Sequence, residues 1–143
     1  MGKLIINGFK VRESVVEAPP SKALTLRYLL ASALSRTWVS LRKLNWGDDT
    51  WSMIRGGIKP ISEIEVKDDY VRTRRGIMME RFRVIDVGES GFTLRVLTGV
   101  YSGIDGGATL LIPRGGSLIG RPMDELLSAL KNLAPRLIGW GGV

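Results

Sequence analysis

The chain has 143 residues, of which 44% are hydrophobic and 24% charged, a balance that suits one domain with its own core and excludes an intrinsically disordered chain. It has no cysteine and no histidine, which excludes disulfides, Cys/His zinc sites, Ser-His-Asp triads and imidazole acid–base chemistry. The 21 Lys and Arg residues against 14 Asp and Glu give a net charge of +7, which favours an anionic partner: nucleic acid, a membrane surface or a phosphorylated metabolite.

The apolar run after Lys3 is too short for a signal peptide, and no stretch has the length of a membrane span. We therefore expect a cytoplasmic protein without a membrane partner. The sequence also contains no glutamine, and the joint lack of glutamine and cysteine predicts a thermophilic source.

Loose alternation of apolar and polar residues over 3–17 predicts an extended hairpin, which ends at Ala18-Pro19-Pro20. From Leu26 onward, apolar residues recur at i, i+3, i+4, i+7 and i+8, the spacing of a helix with one buried stripe. This spacing predicts a helix over about Lys22–Ser35, with Ser21 placed to cap its start.

The next segment reads as a strand over Trp38–Leu44 and a turn over Asn45–Thr50, whose aspartates start a short helix through Ile54. We expect Gly56-Gly57 to stop that helix. The alternation over Ile61–Arg74 then predicts a hairpin.

The second half begins with a predicted strand over Phe82–Val87. A helix opens at Gly88–Gly91 and is closed by Gly103–Gly107, and Ala108–Pro113 reads as a buried strand. The segment Thr93–Leu97 of this helix echoes Thr25–Leu29 of the first one, which favours a duplicated α/β unit.

A glycine-rich loop over 115–121 leads to Pro122, which we place at the first position of a last helix. The apolar stripe of that helix comprises Met123, Leu126, Leu127, Leu130 and Ala134. Residues 136–140 read as a short apolar strand, whose open edge predicts a homo-oligomer or a partner chain.

Three predicted helix starts carry a nearby cation: Ser21-Lys22, Ser90-Gly91 with Arg95 one turn later, and Gly120-Arg121. Free backbone N–H groups and a basic side chain together make each a candidate seat for phosphate or carboxylate. The plainer interpretation is an ordinary helix cap beside a solvated cation.

Other features have structural interpretations. We read Asp48 and Asp49 as helix-capping residues, and we predict no metal site. The tryptophans at 38, 46 and 51 read as core or loop anchors. A basic cluster reads as a solvated hairpin face, ahead of a nucleic-acid patch, and comprises Arg72, Arg74, Arg75, Arg81 and Arg83.

Four motifs resemble, in order and spacing, the 5-enolpyruvylshikimate-3-phosphate synthase family of enolpyruvyl transferases. They are Pro20-Ser21-Lys22-Ala23-Leu24-Thr25-Leu26-Arg27, Gly47-Asp48-Asp49-Thr50, Gly88-Glu89-Ser90-Gly91-Phe92-Thr93-Leu94-Arg95 and Gly120-Arg121-Pro122-Met123. The resemblance implies an α/β (α+β) fold of tandem βαβαββ-type repeats, the architecture shared with RNA 3′-phosphate cyclases. About two repeats are present: a strand segment over 1–18, then repeats over about 19–81 and 82–143.

The resemblance also implies a reaction without metal or organic cofactor. The 5-hydroxyl of shikimate 3-phosphate adds to carbon two of phosphoenolpyruvate, and phosphate leaves. Carried over by residue, Lys22 would contact both substrates as the catalytic candidate. The remaining implied roles are shikimate binding at Ala23 and Arg27, and phosphoenolpyruvate binding at Gly91 and Arg121. Arg95 would hold the loop of the second helix in the anion-binding site.

Three positions depart from the family pattern: Pro20 replaces a glycine, Ala23 a serine, and Phe92 a small residue or threonine. The match covers about the first third of such transferases and lacks the carboxylates that move protons in their other domain. We therefore expect an N-terminal portion that is inactive alone, with a possible second chain carrying the remaining repeats. The alternative is a stand-alone anion- or nucleic-acid-binding module that keeps the fold without the reaction.

Overall fold

The computed structural model describes residues 3–5, 8, 13–76, 81–104 and 107–131. The helices are α1 Lys22–Ala33, α2 Asp48–Ser52, α3 Gly91–Ser102, α4 Gly116–Ile119 and α5 Asp124–Leu130, with a π-helix over Met53–Ile58 that continues α2. The strands are β1 Val39–Arg42, β2 Ser62–Val66, β3 Tyr70–Arg75, β4 Phe82–Gly88 and β5 Ala108–Pro113.

Helix α1 starts where the sequence predicts. The Ser21 hydroxyl accepts a hydrogen bond from the Leu24 N–H at 3.4 Å, which satisfies one of the donors that every helix start leaves open. Leu26, Leu29 and Ala33 are fully buried on the predicted stripe. The helix ends two residues before the predicted Ser35.

The first sheet is antiparallel, with β3 between β1 and β2. The predicted hairpin over Ile61–Arg74 is confirmed as β2 and β3. Thr73 lies on the inner face of the central strand, and its hydroxyl bonds the hydroxyl of Ser32 in α1 at 2.9 Å. The buried pair ties the sheet to α1.

The pair Gly56-Gly57 does not stop the short helix, so that prediction was wrong. The backbone runs through both glycines as a π-helix. A Cβ on Gly56 would lie 2.5 Å from the carbonyl oxygen of Asp86, and one on Gly57 would lie 3.2 Å from Leu97. The glycines are therefore explained by close packing against β4 and α3.

Tyr101 of α3 closes the other side of this contact. Its hydroxyl donates to the Gly57 carbonyl at 3.2 Å. Burial raises the pKa of Tyr101 to about 12, and the positive charge of Arg83 opposes that shift. The phenol is therefore a structural hydrogen-bond donor at neutral pH.

Strands β4 and β5 pair in parallel, and α3 is the crossover between them. The inner face of β4 is buried, but β5 has no buried residue, which contradicts the prediction of a buried strand. Leu110 and Ile112 are 44% and 40% exposed, because the face that they share with Phe82 and Val84 points away from the core.

The last helix begins later than predicted. Met123 is the N-cap of α5, so Pro122 lies before the helix and not at its first position. The glycine-rich loop also contains a short helix, α4, that the sequence did not predict. Its Leu118 is 2% exposed and joins the core.

The described parts of residues 3–17 contain no strand, so the structure does not support the predicted hairpin there. The remainder of that segment and the predicted strand over 136–140 lie outside the described residues. The core itself is continuous from α1 through the π-helix to α3, and its largest fully buried side chains include Leu26, Met53, Ile58, Ile85 and Leu97. This shared core links α1 to α3 through the π-helix.

Candidate anion-binding site

The candidate site lies at the start of α3. Gly88 adopts a left-handed conformation, φ +59°, and turns the chain from β4 towards the helix. Ser90 then caps the helix: its buried hydroxyl accepts from the Thr93 N–H at 3.3 Å and from the Thr93 hydroxyl at 2.8 Å. Helix geometry leaves the N–H groups of Gly91 and Phe92 as donors at this end.

Two guanidinium groups converge on Gly91. The position that a Cβ would occupy on this glycine lies 3.0 Å from an Nη1 of Arg121 and 3.3 Å from that of Arg95. Arg95 also donates to the Pro122 carbonyl at 3.4 Å, which fixes it to the loop that carries Arg121. The structure thus brings together three residues that the sequence assigned to phosphoenolpyruvate and its loop.

Helix α1 contributes a third arginine to the same region. The guanidinium carbon of Arg27 lies 5.1 Å from the centre of the Phe92 ring, and its Nη1 donates to the Ala23 carbonyl at 2.8 Å. Arg27 therefore spans the first turn of α1 and the first turn of α3. We call Arg27, Arg95 and Arg121, which lie around Gly91 and Phe92, the arginine cluster.

Lys22 has a different partner. Its ammonium group lies 2.8 Å from a carboxylate oxygen of Asp49, and the Asp49 side chain is only 23% exposed. Asp48 and Asp49 occupy the first turn of α2, where carboxylates are favoured by the helix dipole, but the N-cap residue is Gly47, so neither aspartate is the predicted cap. Sequence reasoning placed Lys22 on the substrates and missed this ion pair.

The arrangement of the arginine cluster suits a dianion. Cations held close together repel one another, and an anion bound between them offsets that repulsion through its attraction to each cation. Guanidinium groups grip carboxylate or phosphate through paired hydrogen bonds, beside the partial positive charge of a helix start. The described residues contain no group of three acidic, cysteine or histidine side chains that could hold a metal ion.

The predicted basic cluster is not one surface. Arg72 and Arg74 stack on Trp38 at 4.6 and 5.0 Å on the outer face of the first sheet. Arg83, by contrast, is 5% exposed on the inner face of β4 and donates to Thr109 at 3.3 Å. The solvated-face interpretation is wrong for Arg83, because the alternation of β4 turns it inward.

Trp46 and Trp51 contact each other, with their ring centres 5.3 Å apart. This pair supports their predicted role as loop anchors, since Trp51 also packs against the core. Within the described ranges, no helix is long and apolar enough to cross a membrane.

Most of the chain matches a known protein family in sequence. The sequence profile of EPSP synthase, 3-phosphoshikimate 1-carboxyvinyltransferase, matches residues 6–136. The chain belongs to the EPSP synthase family. This assignment confirms the resemblance seen in the sequence.

Individual members of this family are also similar to the chain in sequence. The chain is 35% identical over 133 residues to the 3-phosphoshikimate 1-carboxyvinyltransferase of Methanocaldococcus jannaschii, covering 91% of this chain and 30% of that protein. It is 35% identical over 119 residues to the enzyme of Methanococcus maripaludis strain C6, covering 83% of this chain and 28% of that protein. The chain thus spans about 30% of the length of these relatives.

The fold is also similar to that of solved EPSP synthase structures. A structure of EPSP synthase from Acinetobacter baumannii superposes with a TM-score of 0.66 at 21% identity, covering 80% of this chain and 26% of that one. A second structure of the same enzyme gives 0.62. These likenesses confirm the mixed α/β fold of part of an EPSP synthase.

Proposed function

We propose that this chain supplies anion-binding groups of an EPSP synthase, which transfers the enolpyruvyl group of phosphoenolpyruvate to shikimate 3-phosphate. In this reaction the 5-hydroxyl oxygen bonds to carbon two of phosphoenolpyruvate, and the bond from that carbon to the phosphate oxygen breaks. The proposal takes repeat one as about 19–81 and repeat two as 82–143, after a leading segment over 1–18.

The observation that carries the proposal is the convergence of Arg95 and Arg121 on Gly91. Glycine at position 91 lets both guanidinium groups approach the helix start, because a Cβ there would lie 3.0 Å from Arg121 and 3.3 Å from Arg95. Phosphoenolpyruvate carries a carboxylate and a phosphate, so it matches a site with two cations and helix-start donors.

On the α1 side, we assign shikimate 3-phosphate to Lys22, Ala23 and Arg27. Arg27 of α1 contacts the Phe92 ring of α3, so the two phosphorylated substrates would lie side by side. Both carry negative charge, and fixed cations offset their repulsion without reorganising during the reaction. Lys22 would leave its ion pair with Asp49 to contact both substrates.

Turnover needs more than anion binding, because the transfer requires proton movement by positioned acids and bases. The chain spans about 30% of the length of its curated relatives. We therefore expect no phosphate release from the two substrates with this chain alone, and activity when the remaining repeats are supplied as a second chain. Steady turnover by the purified chain would contradict this assignment of roles.

The direct test is calorimetric titration of phosphoenolpyruvate and of inorganic phosphate into the parent chain and the variant Arg121→Ala. A charge-assisted hydrogen bond contributes about 1.5–3 kcal/mol, and the exposure of Arg121 places the loss at the lower end, about tenfold in Kd. The matched control is Arg36→Ala, which removes an exposed arginine in the turn after α1. If Arg121→Ala weakens the Kd by less than about twofold, the site assignment is wrong.

A single-stranded oligonucleotide, titrated in parallel, separates the alternative of a nucleic-acid-binding module. Arg72 and Arg74 stack on Trp38, so a nucleic-acid site would be sensitive to Trp38→Leu. Phosphoenolpyruvate binding that depends on Arg121, without oligonucleotide binding, supports the transferase assignment.

A further inference from the structure

We infer that Phe92 is a positioning residue for Arg27, so that affinity for shikimate 3-phosphate depends on the Phe92 ring whereas affinity for phosphoenolpyruvate does not. This inference rests on the proposed function and deepens it. It also gives a role to the aromatic side chain that stands where family members carry a small residue or threonine.

The geometry shows two constraints on one exposed side chain. Arg27 stacks on Phe92 with its guanidinium carbon 5.1 Å from the ring centre, and its Nη1 donates to the Ala23 carbonyl at 2.8 Å. A solvated arginine ordinarily samples many rotamers, and each of these contacts reduces that freedom. Together they hold the cation beside the start of α3.

The ring is itself well anchored. Phe92 is partly buried and packs against the core cluster, while Gly91 before it and Thr93 after it are buried. A side chain fixed in this way is a rigid surface for stacking. Arg27 therefore takes its position from α3, although it belongs to α1.

Stacking leaves Arg27 competent to bind an anion. A guanidinium has five N–H donors, and the attraction of its positive charge to a ring face requires no hydrogen-bond acceptor. One donor is taken by Ala23, and the others remain for phosphate or carboxylate. The ring can thus orient Arg27 without competing with the ligand.

The dependence should fall on one substrate. Arg95 and Arg121 approach the backbone at Gly91, and Arg95 donates to the Pro122 carbonyl, whereas the Phe92 ring contacts Arg27. Loss of the ring therefore frees Arg27 and leaves the pair at Gly91 in place. A role in folding alone would affect both substrates.

The test compares Phe92→Leu, which removes the ring, with Phe92→Tyr, which keeps it. Each is titrated separately with shikimate 3-phosphate and with phosphoenolpyruvate. We expect Phe92→Leu to weaken shikimate 3-phosphate by about two- to fivefold, the range of an exposed cation–π contact. Phe92→Tyr should retain parental affinity, and phosphoenolpyruvate should change by less than about 1.5-fold.

A double-mutant cycle shows whether the effect passes through Arg27. In the Arg27→Ala background, Phe92→Leu should cause no further loss of shikimate 3-phosphate affinity, because the group that it positions is gone. The matched control is Trp38→Leu, which removes a ring stacked by two arginines on the first sheet and should leave both affinities unchanged. Thermal unfolding of each variant confirms that the compared chains are folded.

Three results would overturn the inference while leaving the proposed function intact. They are an equal loss of affinity for both substrates in Phe92→Leu, a persistent loss in the Arg27→Ala background, and an equal loss of shikimate 3-phosphate affinity in Phe92→Tyr and Phe92→Leu. A parent chain that binds phosphoenolpyruvate and not shikimate 3-phosphate would overturn the inference together with the assignment of that substrate to α1. Failure of the proposed function looks different, because phosphoenolpyruvate binding would then be absent or insensitive to Arg121→Ala.

Discussion

Replacement of Gly56 by alanine should destabilise the protein, although alanine is the better helix former. Alanine is favoured over glycine by about 1 kcal/mol in a helix interior. Against this gain, the new Cβ would lie 2.5 Å from the backbone carbonyl oxygen of Asp86 and 3.1 Å from Ile85. A backbone atom of a paired strand cannot rotate away, so the π-helix and β4 must separate.

The cost of such overpacking is about 1–3 kcal/mol, and it is higher where backbone has to move. We expect a net loss of about 2 kcal/mol in the free energy of unfolding. Gly99 is the matched control, because it lies in α3 with no atom within 4 Å of the Cβ position. Gly99→Ala should stabilise the protein by about 0.5–1 kcal/mol.

The assay is equilibrium unfolding in urea, followed by tryptophan fluorescence and circular dichroism at equal protein concentration. The two variants should move the midpoint in opposite directions with an unchanged m-value. A Gly56→Ala midpoint equal to or above that of the parent would refute the close-packing explanation of the glycine pair. It would instead restore the view that these glycines are local helix breakers.

Three further outcomes are expected. Ser90→Ala should lower the free energy of unfolding in urea by about 1–2 kcal/mol, because the buried hydroxyl caps α3. This loss should exceed that of Ser21→Ala at the exposed cap of α1, and an equal loss would contradict the reasoning. Burial raises the pKa of Tyr101 from 10.0 to about 12, so between these pH values the folded chain keeps a proton that the unfolded chain releases. The free energy of unfolding should therefore fall as the pH rises from 10.0 to about 12, and Tyr101→Phe should make that fall smaller. Deletion of 136–143 should shift a self-associated chain towards monomer in sedimentation velocity, and a compact parental monomer at micromolar concentration would refute this prediction.

The elements that the sequence predicted correctly are those fixed by neighbouring residues. Helix α1 follows from its apolar spacing and the Ser21 cap, and the hairpin of β2 and β3 follows from alternation around Asp68-Asp69. These signals act over a few residues, so no knowledge of the remaining fold is needed. The same holds for β4 and α3.

The errors arise where distant segments decide the outcome. Gly56-Gly57 carries the local signal of a helix stop, but its packing against β4 and α3 lets the helix continue. The composition of β5 indicates an apolar strand and cannot show which of its faces is covered. Arg83 reads as a surface cation until the register of β4 turns it inward.

For the candidate site, the family resemblance assigned Gly91, Arg95 and Arg121 to one ligand loop, and the structure brings these three together, but the resemblance did not predict how the cations are held. Arg27 is fixed by Phe92, and Lys22 is paired with Asp49, in both cases across separate helices. Neither contact has a periodic signal in the sequence. The assigned binding roles, the cytoplasmic location and the thermophilic source stay predictions.

The parallel pairing of β4 and β5 makes the arginine cluster depend on non-local contacts. Arg121 follows β5, whereas Gly91 and Arg95 lie in the crossover, so the cluster exists only after a long loop has closed and its entropy cost has been met. A ligand that requires both arginines therefore binds the native chain and leaves the unfolded chain untouched. By mass action, an anion held by both arginines would protect β4, α3 and β5 against unfolding and proteolysis in proportion to its occupancy.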